Sequence, residues 1–159
     1  MRAEPHIRRR MAEESGSRGS LHLRVGELLG LKVAVTSEVD LIDCLEKGLP
    51  IGSVQALRTR VGLTDEEVYA LIAPRRTLNR REAEHQVLSR DEADRAIRVA
   101  RIAARAQHVF SAKPTYALEW LRTAQRTLGD RTPIQVLGSD AGARAAEELL
   151  VGIEHGLFG

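Results

Sequence analysis

From residue 37 onward the apolar positions recur at three- and four-residue steps, and turn residues fall between the periodic stretches, which predicts helices throughout. Ser37 with Asp40 has the spacing of a cap, Ile42 and Leu45 share a face, and Gly48-Leu49-Pro50 ends this first helix. A second runs from about Ile51 to Val61, with Val54, Leu57 and Val61 on one stripe and Gly62 at its end. Thr64-Asp65-Glu66-Glu67 is a capping box, flanked by Leu63 and Val68 at the positions of a hydrophobic staple. That helix should stop near Ala73-Pro74, because proline lacks a donor and disfavours helical geometry in the residue before it. Arg75 to about Gln86 forms another helix, and a second box, Ser89-Arg90-Asp91-Glu92, opens the longest, to about Phe110. Ala96, Val99, Ala103, Ala106 and Phe110 mark its buried face, while Asp91–Arg95 and Asp94–Arg98 pair on the wet side.

Ser111-Ala112-Lys113-Pro114 reads as a seam between two units. Beyond it we expect a helix from Pro114 to about Leu128, with Ala117, Leu121 and Ala124 packing and Trp120 beside them. Gly129 to Thr132 is a turn, and Pro133 opens a short helix ending at Gly138. Asp140 then caps a last helix whose stripe is Ala146, Leu149 or Leu150, and Ile153. Gly156 stops it before a tail, Leu157-Phe158-Gly159. At the other end, residues 1–20 show no apolar periodicity and read as a flexible arm, and Leu21 to Val25 alternate as a short strand would. The fold class is all-α with about eight helices, divided as 1–20, 21–110 and 111–159.

Composition narrows the function. Of 159 residues, 43% are hydrophobic and 29% charged, which is globular, but only 3% are aromatic, so aliphatic side chains and alanine must build the core. The lone Cys44 can form neither an internal disulfide nor a zinc site, which fits a reducing cytoplasm. No run approaches the roughly 18 apolar residues of a membrane span, and Met1 to Arg10 lacks the apolar run of a secretory signal. A net charge of +2 is too small to imply a polyanionic partner by itself. We find no G-x-S-x-G, no phosphate-cradling glycine loop and no H-E-x-x-H; Glu82-Ala83-Glu84-His85 has E-x-x-H spacing but no second copy. The expectation is therefore a non-enzyme, without metal or cofactor.

Charge distribution says more. Residues 74–81 carry four arginines and no acid, at the start of a helix that follows a short, tightly capped one. That is helix-turn-helix grammar, with Arg75, Arg76, Thr77, Asn79, Arg80 and Arg81 as the DNA-contacting set: the guanidinium fork suits guanine edges and phosphates. Four arginines at a helix start oppose the macrodipole, so idle residence there is disfavoured. A rival register would make Ile51–Val61 and Thr64–Ala73 the motif, but its reading helix would begin with Asp65-Glu66-Glu67, which repels phosphate. From Asp130 to Gly159 five acids face Arg131 and Arg144, a net of −3, which is wrong for DNA and suited to a basic protein partner.

Several stretches, taken in order, resemble the antitoxins of RES–Xre toxin–antitoxin pairs, which carry an Xre/MbcA/ParS-type toxin-binding domain. They are Asp40-Leu41-Ile42 with Lys47-Gly48-Leu49-Pro50, Pro74 to Arg81, Leu88-Ser89, Glu92 to Arg95 and Arg98 to Arg101. In the second half they are Val109-Phe110, Ala117 to Leu121, Leu128 to Leu137, Asp140 to Ala143 and Ile153 to Phe158. The resemblance implies an Xre-like DNA-binding and dimerisation domain over 21–110 and a helical toxin-binding domain over 111–159. The protein would repress its own operon as a homodimer and block a co-encoded RES toxin that consumes NAD or transfers ADP-ribose. Toxin contact would fall on Trp120, Glu147, Ile153, Glu154, His155, Gly156, Leu157, Phe158 and Gly159, with Glu154 offered to an arginine of the NAD pocket. Val68-Tyr69 and Ile72-Ala73-Pro74 depart from the small residue and turn glycine usual in Xre motifs. A stand-alone helix-turn-helix regulator, whose C-terminal helices dimerise or sense a ligand, is the alternative.

Overall fold

Side-chain hydroxyls fix five of the helix starts. Ser37, Thr64, Ser89, Thr132 and Ser139 each accept a hydrogen bond from a backbone N–H three residues on. In the first four, Asp40, Glu67, Glu92 and Gln135 reach back to complete a capping box. The computed structural model describes residues 16, 19–111 and 113–157, and most of these are helical. The helices are α1 (19–28), α2 (Glu38–Lys47), α3 (Gly52–Val61), α4 (Asp65–Leu71), α5 (Arg75–Ala83), α6 (Arg90–Val109), α7 (Pro114–Arg122), α8 (Pro133–Val136) and α9 (Asp140–Glu154). A 3₁₀ turn, Arg126–Leu128, lies between α7 and α8. Among the described residues the only β pairing is a single bridge, Gln125 to Arg131.

Helix α6 is the axis. It packs against α2, α3 and α4 on the N-terminal side and against α7 and α9 on the other, so one core runs through both halves. Its inward residues are mostly small: Ala93, Ala96, Ala100, Ala103, Ala104 and Ala106 are all buried. Short side chains let neighbouring helices approach closely, so a core with few aromatics still packs densely. The same closeness fixes Gly142 in α9, where an added Cβ would stand 1.9 Å from the Val136 carbonyl oxygen. At the proposed seam the Ser111 and Lys113 N–H groups donate to the His108 and Phe110 carbonyls, while Ala112 lies outside the described residues.

Local readings needed correction where tertiary contacts intervened. The expected strand at Leu21–Val25 is helix α1, because Leu21, Val25, Leu28 and Leu29 also fit a helical stripe, and burying that stripe outweighs the period-2 alternation. Helix α1 also claims residues 19 and 20 from the expected arm; residues 1–15, 17 and 18 lie outside the described residues. Leu41 is the buried contact of α2, whereas Ile42 is 45% exposed. Helix α5 stops at Ala83 instead of Gln86, since His85 turns left-handed (φ 53°) and the Gln86 N–H caps the Arg81 carbonyl. Helix α7 ends at Arg122, leaving Ala124 exposed, because Thr123 is extended and its hydroxyl donates to the Glu119 carbonyl. Ser139, not Asp140, caps α9. Arg95 does not serve a surface pair with Asp91 and instead donates to the Ile72 carbonyl at 3.0 Å.

Two capping-box glutamates acquire arginines from afar. Arg81 Nε lies 2.6 Å from one Glu92 oxygen and its Nη2 donates to the other at 3.1 Å, with Glu92 only 8% exposed. Burial pushes the Glu92 carboxyl up, but the Arg81 guanidinium and the Ser89 N–H outweigh it and hold the group below its usual 4.5. The folded chain therefore binds that proton less readily than the unfolded one. The resulting stability is complete above pH about 4.5 and is lost as pH falls through the lowered folded value. Glu92→Gln should cost about 2 kcal/mol at neutral pH, roughly 6 °C in Tm, and give a flatter decline than wild type towards pH 3. Thermal melts followed by circular dichroism check this; parallel profiles for the two proteins would refute it.

Candidate functional site

Helices α4 and α5 meet across Ile72-Ala73-Pro74. Ile72 and Ala73 are buried, Arg95 secures the Ile72 carbonyl, and the Pro74 carbonyl accepts from the Thr77 and Leu78 N–H groups. The turn is thus rigid, and α5 leaves it with no acid in its first turn and no side-chain cap. Leu78 is the side chain α5 buries. Positions 75, 76, 79 and 80 fall on one exposed stripe by the i, i+4 rule, while Thr77 is half-buried. Among the described residues, Arg75, Arg76 and Arg80 have no ion-pair partner, in contrast to Arg58, Arg81, Arg98, Arg101, Arg105 and Arg122, each held by a carboxylate. The structure separates Arg81 from its expected companions: its guanidinium is 16% exposed and faces Glu92, Gln86 and the Val87 carbonyl. A two-helix unit results, with three free guanidinium groups and the Asn79 amide on its outer face.

The second candidate surface is the far end of α9. Its last turn closes as a Schellman motif, in which Gly156 (φ 68°) donates to the Ile153 carbonyl and Leu157 to the Gly152 carbonyl, at 3.0 and 2.9 Å. Gly156 is needed there because only glycine takes that backbone conformation without strain. Leu157 emerges 73% exposed, and His155 is exposed with Nδ1 2.8 Å from the Val151 carbonyl. Ile153 leans against the core. Glu154 is occupied within the chain, ion-paired with Arg105 and 3.4 Å from His108 Nε2. Glu147 is exposed and lines an open cleft of about 290 Å³ with His22, Glu38, Arg101 and Arg105. Trp120, expected on the contact surface, is 7% exposed and packs 6.3 Å from Phe110, ring centre to ring centre. Phe158 and Gly159 lie outside the described residues.

Other ion pairs tie distant helices together, two of them across the two halves, and sequence alone held no sign of them. Arg98 reaches Asp140 of α9, Arg101 reaches Glu38 of α2, and Arg122 of α7 grips Glu67 of α4. These partners are 42 to 63 residues apart in the chain, a separation at which charge spacing carries no signal. Among the described residues no helix is long and apolar enough to cross a membrane, and no three His, Cys, Asp or Glu side chains cluster to hold a metal.

Comparison with known proteins fits this division. The family model for the antitoxin Xre-like helix-turn-helix domain matches residues 40–101, and that for the antitoxin Xre/MbcA/ParS C-terminal toxin-binding domain matches residues 105–156. The border between them falls inside α6. Antitoxin Xre of Yersinia enterocolitica is 26% identical over 119 residues, covering 74% of this chain and 80% of that protein. Antitoxin Xre of Pseudomonas putida is 38% identical over 85 residues, covering 54% of this chain and 53%, about half, of that protein. With both domains present in order across α2 to α9, this all-α chain belongs to the Xre-type antitoxins: a helix-turn-helix domain followed by a toxin-binding domain.

Proposed function

We propose that the chain is the antitoxin of a type II toxin–antitoxin pair whose toxin has a RES fold, and that it represses its own operon. The observation that carries the DNA half is the cluster of three exposed guanidiniums on α5 that no carboxylate among the described residues holds, Arg75, Arg76 and Arg80, with the fourth, Arg81, turned inward onto Glu92. Helix α4 braces on the phosphates, and α5 enters the major groove with Arg75, Arg76, Thr77, Asn79 and Arg80 towards the DNA. Arg81 stays on the protein side and fixes the angle of α5 through Glu92. A homodimer matches this use, because operators mirror two-fold symmetry.

The toxin half rests on the resemblance to RES–Xre antitoxins and on where α9 ends. Neutralisation is steric: the toxin-binding unit docks, and the segment from His155 onward enters the NAD cleft. Glu147 supplies negative charge to the docking face, and Trp120 supports it from beneath. Glu154 anchors the root of the tail through Arg105, so the blocking contact falls on the residues after it. On this reading the protein acts in the cytoplasm as a non-catalytic inhibitor. Co-expression with the product of the adjacent reading frame tests the reading. A stable complex whose NAD-consuming activity is silenced is expected; separate elution with that activity intact would overturn it.

A further inference from the structure

Helix α4 begins Asp65-Glu66-Glu67, three carboxylates at the helix that lies nearest the DNA backbone in the reading above. Left bare, they would repel phosphate. Two arginines from outside the α4–α5 pair cover two of the three, Asp65 and Glu67. Arg58 of α3 places Nε 2.6 Å from Asp65. Arg122, the last residue of α7, binds Glu67 through both arms of its fork, at 2.8 and 3.0 Å, and also donates to the Gly62 carbonyl. Such a bidentate, charge-assisted pair is directional as well as attractive. Glu67 in turn keeps the capping box with the Thr64 N–H at 2.8 Å, so Arg122 touches the first turn of α4 through a single carboxylate.

Arg122 lies in the toxin-binding domain: it falls within residues 105–156, and its neighbours Trp120 and Leu121 are buried in the core. We infer that Arg122 is a positioning and charge-compensating residue for DNA binding, lent by the toxin-binding domain to the first helix of the motif. Operator affinity thus depends on where α7 sits. The inference rests on the DNA-binding reading of α4 and α5 given above.

Binding of the full-length chain to a DNA fragment from upstream of its own gene, titrated from low to high salt by fluorescence anisotropy, separates the possibilities. Arg122→Gln should weaken binding about 5- to 10-fold at low salt, and the gap should close as salt rises, because an exposed Glu67 charge acts through a screened field. Glu67→Gln in the same chain should restore affinity to within about twofold of wild type, since the repelling charge is then gone. Arg122→Lys should fall between, keeping the charge and losing the fork. A deficit for Arg122→Gln that is equal at all salts and unrescued by Glu67→Gln would reduce Arg122 to a structural strut and overturn the inference. Wild-type affinity for Arg122→Gln, with Arg76→Ala/Arg80→Ala defective, would overturn it while leaving the DNA-binding reading intact. If the Arg76/Arg80 variant also binds normally, the reading itself fails and takes the inference with it.

Discussion

Alanine at both Arg76 and Arg80 is expected to lower affinity for the operon's own promoter DNA by about 100-fold and to flatten the salt dependence by about two units of slope. Both side chains stand exposed on α5 without an internal partner, so removing them costs the fold nothing that the structure shows. The melting temperature should stay within about 2 °C of wild type, as for surface substitutions generally. Arg81→Ala is the informative contrast. It strips a nearly buried carboxylate of its cation and should destabilise the chain by about 3 kcal/mol. A loss of DNA binding through Arg81 would therefore arrive with a lowered Tm, whereas loss through Arg76 and Arg80 would not. Unchanged affinity and salt slope in the double variant would show that another helix meets the DNA.

Truncation after Gly156 should abolish toxin neutralisation and leave folding and DNA binding in place. Leu157 is the most exposed large apolar side chain among the described residues, and only its backbone N–H is engaged, with the Gly152 carbonyl. Losing that one bond costs about 1 kcal/mol. Cells carrying the active toxin should fail to grow with the truncated antitoxin, although the purified variant melts close to wild type and still binds promoter DNA. Growth at the wild-type rate would mean that docking alone suffices and that the tail blocks nothing. The cut has to fall after Gly156. A truncation from Ile153 would also remove a core contact and the Glu154 pair with Arg105, confounding inhibition with unfolding.

Much of this chain is written locally. Capping boxes at Thr64–Glu67 and Ser89–Glu92 are four-residue patterns, and both helices begin where those patterns put them. Pro74 and Gly156 mark boundaries for equally local reasons: a missing donor and a left-handed φ. The order of helices and the arginine-rich start of α5 followed from the same short-range rules. Charge identity, however, says nothing about charge partnership. Four arginines at residues 75, 76, 80 and 81 looked alike, and only packing against α6 turned one of them inward onto Glu92.

Trp120 carries the same lesson for apolar groups. An aromatic on an amphipathic helix is equally consistent with a contact surface and a core, and the decision belongs to Phe110 and α6, which cover it. The alternation at Leu21 to Val25 also satisfied two periods, and burial against the rest of the core chose the helical one. The sequence by itself determined the helix class, most of the helix starts and the basic stretch, since each depends on neighbours within a few residues. Tertiary structure alone decided which arginines are free, which carboxylates are covered and where the tail leaves the core. Those outcomes depend on pairs dozens of residues apart, brought together by burial of the alanine-rich face of α6.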